Sequence, residues 1–453
     1  MQDSFAVLAP SAKPDVERQA AVNLDIGVAE QALLTGRLMA LRMFNSEYLL
    51  SLDRSSPGSA GVITYSGNVF DHENNPIGDI LLTSGEGMYY SLMRTMDGIY
   101  QISPAAETPN APHVLQKMRP VPARGITDFD DPIAASPHEL RHDDVIGEGS
   151  SQDTDFTGKP IQQRDVQSST VELLVLYTSN VRARRGGAGA TVNWINTMVA
   201  DYNNKLGELG TSAKPLLLKA ALETSFDNLG TIYQENKTHN GSNACYCTTT
   251  CACDSIVADQ YWVSTNYMVS NLRSMYGADL VVLITAANQI HPEDFAHGFA
   301  GLKKGYTPQT HGSTIDKWGE FATVRDDYAL ANLTFHHEIG HAFGLEHAHG
   351  AATFGYTYTS GAGWEQQSGP NEHKKPITIM EVNREYDICA LSSSTSSITC
   401  QMRLPYFAHA TKSRMFNIPD GWVPRVFDPK YSSYQGQLVG VLQAGTHWVS
   451  QRR

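Results

Sequence analysis

The stretch HEIGHAFGLEH, from His337 to His347, sets three histidines and one glutamate at a spacing suited to metal chemistry. On a helix, His337 and His341 lie one turn apart and project from one face. Gly344 can leave that helix at positive φ and turn the chain, so that His347 approaches the same point from outside. Three neutral imidazole nitrogens can hold one Zn2+ and leave a fourth position to water, as in a catalytic rather than a structural site. Glu338 stands beside the first of them and is not needed as a ligand, so it reads as the general base for that water. His336 and His349 flank the pattern but miss its spacing, and read as polar residues near the cleft.

Elements that could position these groups are readable upstream. Val171 to Tyr177 reads as a buried strand, Thr191 to Gly207 as a helix and Pro215 to Thr224 as a second strand. A helix over Ser255 to Tyr276 and a strand over Leu280 to Ile284 follow, and this alternation predicts an α/β domain with a mixed sheet and covering helices. GFAGLKKG begins with Gly298, Phe299, Ala300, Gly301 and Leu302, which could form an edge strand for an extended substrate. Asn332 sits where the histidine helix should begin, a position for a cap. RARR at Arg182 to Arg185 reads as a solvated helix end where a processing protease could also cut.

The first part of the chain has its own pattern. Apolar residues from Asp25 to Phe44 recur at helical spacing, whereas Gly61 to Leu115 shows short apolar runs broken by turn residues, predicting an antiparallel sheet. Residues 137–170 are polar and rich in Asp, Gly, Ser and Gln, the composition of an exposed, cleavable linker. The division expected is therefore residues 1–136, a smaller β-rich α+β unit, then the linker at 137–170, then 171–453.

The histidine motif is the zinc signature of the metzincin metallopeptidases. NLTFHHEIGHAFGLEHAHG resembles the reprolysin-like bacterial enzymes, including the peptidyl-Asp metalloendopeptidases. VELLVLYTSNVRARRGG and GADLVVLIT are similar to strands of that catalytic domain, and NPIGDILLT, GIYQISP and HVLQKM to its propeptide. The resemblance implies a metzincin-like α/β catalytic domain with a zinc helix and a Met-turn at Met380, preceded by a prodomain. It also implies a secreted zinc endopeptidase made as a zymogen, acting on protein or peptide substrates, with the prosegment as an inhibitory partner in cis. Two departures stand out: Ala348 occupies a position where many relatives carry Asp, and Val382 excludes the Tyr ligand that some metzincins place two residues after the methionine. No cysteine precedes Cys245, so a prosegment thiolate cannot block the metal; Asp71, His72, Glu73, His113 and Asp143 are alternative donors.

Composition limits other functions. Through Asp165 there are 23 acidic and 12 basic residues, a balance of -11, and the remainder contributes 24 against 22, or -2. An acidic first part argues against nucleic-acid binding, and no apolar run is long enough for a membrane span. The start lacks a secretory h-region, so the expectation is a signal already removed or another export route. Cys245, Cys247, Cys251, Cys253, Cys389 and Cys400 read as disulfides of an oxidising compartment, Cys389 with Cys400 being the natural local pair; the four-cysteine cluster could instead hold a structural metal. Asn236, Asn240 and Asn332 begin glycosylation sequons. Two other classes remain compatible with the motif: a catalytically inactive zinc-binding interaction or toxin protein, and a zinc hydrolase of a non-peptide amide.

Overall fold

The computed structural model describes the greater part of residues 16–119, then 169–209, 212–224, 255–286, 298–300 and 320–345, with short pieces between 364 and 450. Eight strands form the first unit: β1 (Val16–Val22), β2 (Met39–Met43), β3 (Ser46–Pro57), β4 (Ile63–Phe70), β5 (Pro76–Gly85), β6 (Met88–Thr95), β7 (Gly98–Pro104) and β8 (His113–Met118). They make an antiparallel meander ordered β1-β8-β7-β6-β5-β4-β3-β2. The helix expected over Asp25 to Phe44 does not extend to its end. Met39, Leu41 and Met43 are buried while Ala40 and Arg42 are exposed, a period of two that pairs β2 with β3. Among the described residues Gly27, Gln31 and Thr35 are helical, so the helical spacing fails only beyond the turn at Gly36.

The second unit contains β9 (Val171–Thr178), α1 (Ser179–Arg185), α2 (Ala188–Glu208), β10 (Leu216–Thr224), α3 (Ser255–Thr265), α4 (Tyr267–Tyr276), β11 (Leu280–Thr285), β12 (Gly298–Ala300), β13 (Phe321–Arg325), α5 (Asp326–Ala329) and α6 (Thr334–Ala342). Its sheet runs β10-β9-β11-β13-β12, parallel except for β12 at the edge. Every residue of β9 and β11 is buried, as expected for central parallel strands covered on both faces. The single helix expected over Ser255 to Tyr276 is two, because Asn266 leaves helical geometry and its side chain accepts the Met268 N–H at 2.8 Å, capping α4. Two-stranded pairs β14 (Trp364–Gln366) with β17 (Trp422–Pro424), and β15 (Asp387–Cys389) with β16 (Cys400–Met402), complete the described strands.

Helix α2 joins the units. Trp194, Met198, Tyr202 and Leu206 point into the main core, whereas Asn193, Thr197, Asp201 and Lys205 line a polar face that is nevertheless buried. That face meets β5 and β6, where Asp79 opposes Arg94, Leu81 opposes Leu92 and Thr83 opposes Tyr90 in register. Asn193 donates to the Gly85 and Met88 carbonyls at 3.1 and 3.2 Å, and the Thr83 and Thr197 hydroxyls lie 2.7 Å apart. Arg94 donates to Asp201 at 2.6 and 2.8 Å and to Asp79 at 2.9 and 3.0 Å, while Lys205 donates to Asp79 at 2.7 Å.

Burial raises the Asp79 and Asp201 pKa values, but the opposing charges, Arg94 foremost, outweigh it and hold both below the usual carboxylate range. Burial lowers Lys205, yet Asp79 and Glu208 leave it above its ordinary value. The carboxylate contribution to stability is therefore complete above about pH 4 and lost as pH falls through the depressed folded values. The lysine contribution is complete below about pH 10 and lost as pH rises through the elevated one. Denaturant melts should show a constant stability gap between the original chain and Asp79→Asn from pH 5 to 9, shrinking only in stronger acid; a gap that closes near neutrality contradicts this assignment.

Candidate metal centre

Helix α6, which follows β13 and α5 in the chain, carries His337, Glu338 and His341. Residues 334–342 are all buried, with His337, Glu338 and His341 exposed by 4%, 3% and 1%. The Asn332 cap does not form: the capping position is Leu333, held at φ 60, and the Asn332 amide instead reaches Thr334 Oγ1 at 3.5 Å. Leu333 occupies a left-handed conformation costly for its side chain, because the chain must turn sharply out of α5 before entering α6. Asn332 is 3% exposed, a poor position for a sugar.

The far end of α6 follows a Schellman pattern. Gly344 sits at φ 91, its N–H donates to the His341 carbonyl at 2.8 Å, and the Leu345 N–H donates to the Gly340 carbonyl at 2.9 Å. This turn delivers the Leu345 carbonyl to His341 Nδ1 at 2.7 Å. The other imidazole is held similarly, with His337 Nδ1 2.7 Å from the Ile379 carbonyl.

A carbonyl oxygen can only accept, so each Nδ1 carries a proton. The two Nε2 atoms face each other at 3.0 Å. Burial drives the His341 pKa down to about 4, against a small opposing effect of the Leu345 carbonyl, so this imidazole is neutral at pH 7. The neutral His341 ring therefore presents its Nε2 lone pair toward His337 Nε2. The separation fits two nitrogens bound to one zinc at about 2.0–2.1 Å each. The donor set therefore suits zinc, and the backbone carbonyls serve as the orienting partners that metal-bound histidines need.

Among the described residues, no three His, Cys, Asp or Glu side chains form a complete metal group. His347, the expected third donor, lies outside them, as do Ala348 and His349. Met380 is fully buried against α6, and a Cβ on Gly340 would come 2.5 Å from its sulfur. On the other side, a Cβ on Gly298 of β12 would overlap the Glu338 carboxylate. Phe299 and Ala300 continue β12, whereas Gly301 and Leu302 lie outside the described residues.

His336 is not beside the cleft. It is fully buried on the opposite side of α6, with Nε2 3.2 Å from Asp201 Oδ2 and its ring 5.6 Å from Tyr202. Its pKa is lowered by burial, with Asp201 opposing. The RARR segment is not a free basic end either. Arg184 pairs with Asp326 and Asp327 at 2.9 Å, and Arg185 pairs with Asp326 while lying 4.1 Å over Trp194. These arginines tie α1 to the short helix that leads into α6. Sequence spacing missed them because the partners lie more than 140 positions away.

Of the other candidates, Asp71 accepts the Glu73 and Asn75 N–H groups at 2.9 and 2.8 Å and closes the β4–β5 turn. His72 and Glu73 are exposed, whereas His113 is buried and its Nε2 lies 3.2 Å from the Tyr89 backbone nitrogen. Asp143 lies outside the described residues, as do Cys245, Cys247, Cys251 and Cys253. Cys389 and Cys400 fall on adjacent strands, two register positions apart.

An α/β domain whose buried helix brings two imidazole Nε2 atoms to 3.0 Å of each other, with a carboxylate alongside, suits metal-assisted hydrolysis. Residues 167–383 match the family model Reprolysin_5, metallo-peptidase family M12. That segment is accordingly similar to a reprolysin-like metzincin domain, and the match supports a peptidase. No curated protein matches the chain. Among solved structures, one titled "Structure of a chaperone-substrate complex" is similar over 64% of this chain and 41% of its own, at 14% identity and a TM-score of 0.36. Among the described residues, no helix is long and apolar enough to cross a membrane.

Two glycines give separable tests. Gly298→Ala should displace the Glu338 carboxylate and lower kcat by about a hundredfold or more with metal content retained. Gly340→Ala should push on Met380 and cost about 1–3 kcal/mol in a denaturant melt. Wild-type turnover in Gly298→Ala, or wild-type stability in Gly340→Ala, removes the corresponding packing argument.

Proposed function

We propose that the chain is a secreted zinc-dependent endopeptidase, made as a zymogen, with His337, His341 and His347 as ligands and Glu338 as general base. The observation that carries this reading is the facing pair of imidazole Nε2 atoms at 3.0 Å, each ring fixed by a backbone carbonyl. Zinc, when bound, would supply Lewis acidity, lowering the pKa of water and polarising the scissile carbonyl. Glu338 takes the proton from the attacking water and delivers it to the leaving amine. Gly298 keeps a side chain out of the space that this carboxylate occupies. β12 has a hydrogen-bonded neighbour on one side only among the described strands, which supports its reading as the edge where an extended substrate pairs through main-chain groups. Met380 forms the Met-turn, and its Ile379 neighbour orients the first histidine. The six cysteines pair as disulfides outside the cell. The segment following the first sheet is the activation cleavage region.

Glu338→Gln should retain about one zinc per chain and lose about 10²–10⁴-fold in casein cleavage, followed by mass spectrometry of the fragments. Full activity in that variant contradicts the mechanism. Zinc without cleavage in the original chain, even after the linker is cut, favours an inactive zinc-binding protein or a hydrolase of non-peptide amides.

A further inference from the structure

Each unit brings one acid and one base to their junction. Asp79 and Arg94 are opposite one another on β5 and β6, and Asp201 and Lys205 are one turn apart on α2. Across the junction they exchange partners, with Arg94 on Asp201 and Lys205 on Asp79. The four side chains are 5%, 19%, 1% and 5% exposed for Arg94, Asp79, Asp201 and Lys205, so the square is shielded from solvent and salt. Within the square each half is neutral, and the further acid on α2, Glu208 at 3.6 Å from Lys205 Nζ, is partly exposed to solvent. Separation therefore leaves no unit with a net buried charge, a property suited to two pieces that must fold and dock as distinct bodies. Beyond the square, Leu81, Tyr90 and Leu92 enter the same apolar cluster as Trp194, Met198 and Tyr202. The junction thus has the apolar centre and bonded polar groups of a protein–protein interface.

The same face lies behind the metal helix rather than over it: Asp201, held by Arg94, is the residue that backs His336. We propose that residues 16–118 form a retained subunit. After the chain is cut between 119 and 170, the sheet stays docked on α2, and the working enzyme is a noncovalent pair of two segments of one gene product. Shedding the sheet would expose the polar face of α2 and the apolar residues between its charges, and would strip Asp201 of its strongest partner. Activation by cleavage then need not involve release of the sheet. This proposal rests on the cleavage reading given above, but its test needs neither zinc nor turnover.

The test uses full-length Glu338→Gln with a site for a sequence-specific protease inserted in residues 119–170. After cutting at physiological salt, the two fragments should elute together from a sizing column and appear as one complex by native mass spectrometry. Arg94→Met should weaken the complex at least about a hundredfold, since it leaves Asp201 buried beside His336 without its guanidinium. If that variant fails to fold, Asn193→Ala removes only the two bonds to Gly85 and Met88 and should weaken the complex about tenfold. Separation of the unaltered fragments at micromolar concentration overturns the proposal. Unchanged affinity in the variants that fold overturns the assigned interface.

Discussion

The site depends on one geometric constraint: two buried imidazoles of one helix face whose Nε2 atoms meet at 3.0 Å. It is imposed by two main-chain carbonyls, one from the Schellman turn ending α6 and the other from Ile379. These oxygens fix the orientation of both rings and bring the two Nε2 atoms together. Much of the fold converges on this one nine-residue helix.

The supports come from three directions. β13 and α5 feed the chain into α6, with Arg184 and Arg185 of α1 clamping the acidic first turn of α5. Met380 fills the space beside Gly340, where a side chain cannot fit. Behind α6, Tyr202 packs against His336, Phe343 and Phe407, while Asp201 faces His336. Because Asp201 is also held by Arg94, the first sheet forms part of the same scaffold although it lies more than 100 positions upstream. The domain that carries α6 is built against the first sheet.

The sequence makes the helix of His337 and His341 legible because helical geometry converts a four-residue spacing into a shared face without reference to the rest of the chain. Gly344 is legible for a related reason, since the φ of 91 that it adopts suits glycine far better than other residues. The strands β9 and β11 are apolar throughout and stand out from their surroundings. Other features have no local signature. Met39 to Met43 satisfies a strand period that overlaps a helical one, and only pairing with β3 decides between them. Asn332 has the chemistry of a cap, yet the turn out of α5 shifts that position to Leu333. The orienting carbonyls of Ile379 and Leu345 are invisible in sequence because any residue supplies one. The Asp79–Arg94–Asp201–Lys205 square pairs residues brought together only by docking, and each reads alone as an ordinary surface charge.

The most direct measurement is the metal stoichiometry of the purified chain by elemental mass spectrometry, alongside His337→Ala and His341→Ala. The account predicts about one zinc per chain, lost in either variant while the fold, followed by circular dichroism, remains. A folded chain that takes up no zinc, or one whose zinc survives both substitutions, contradicts it.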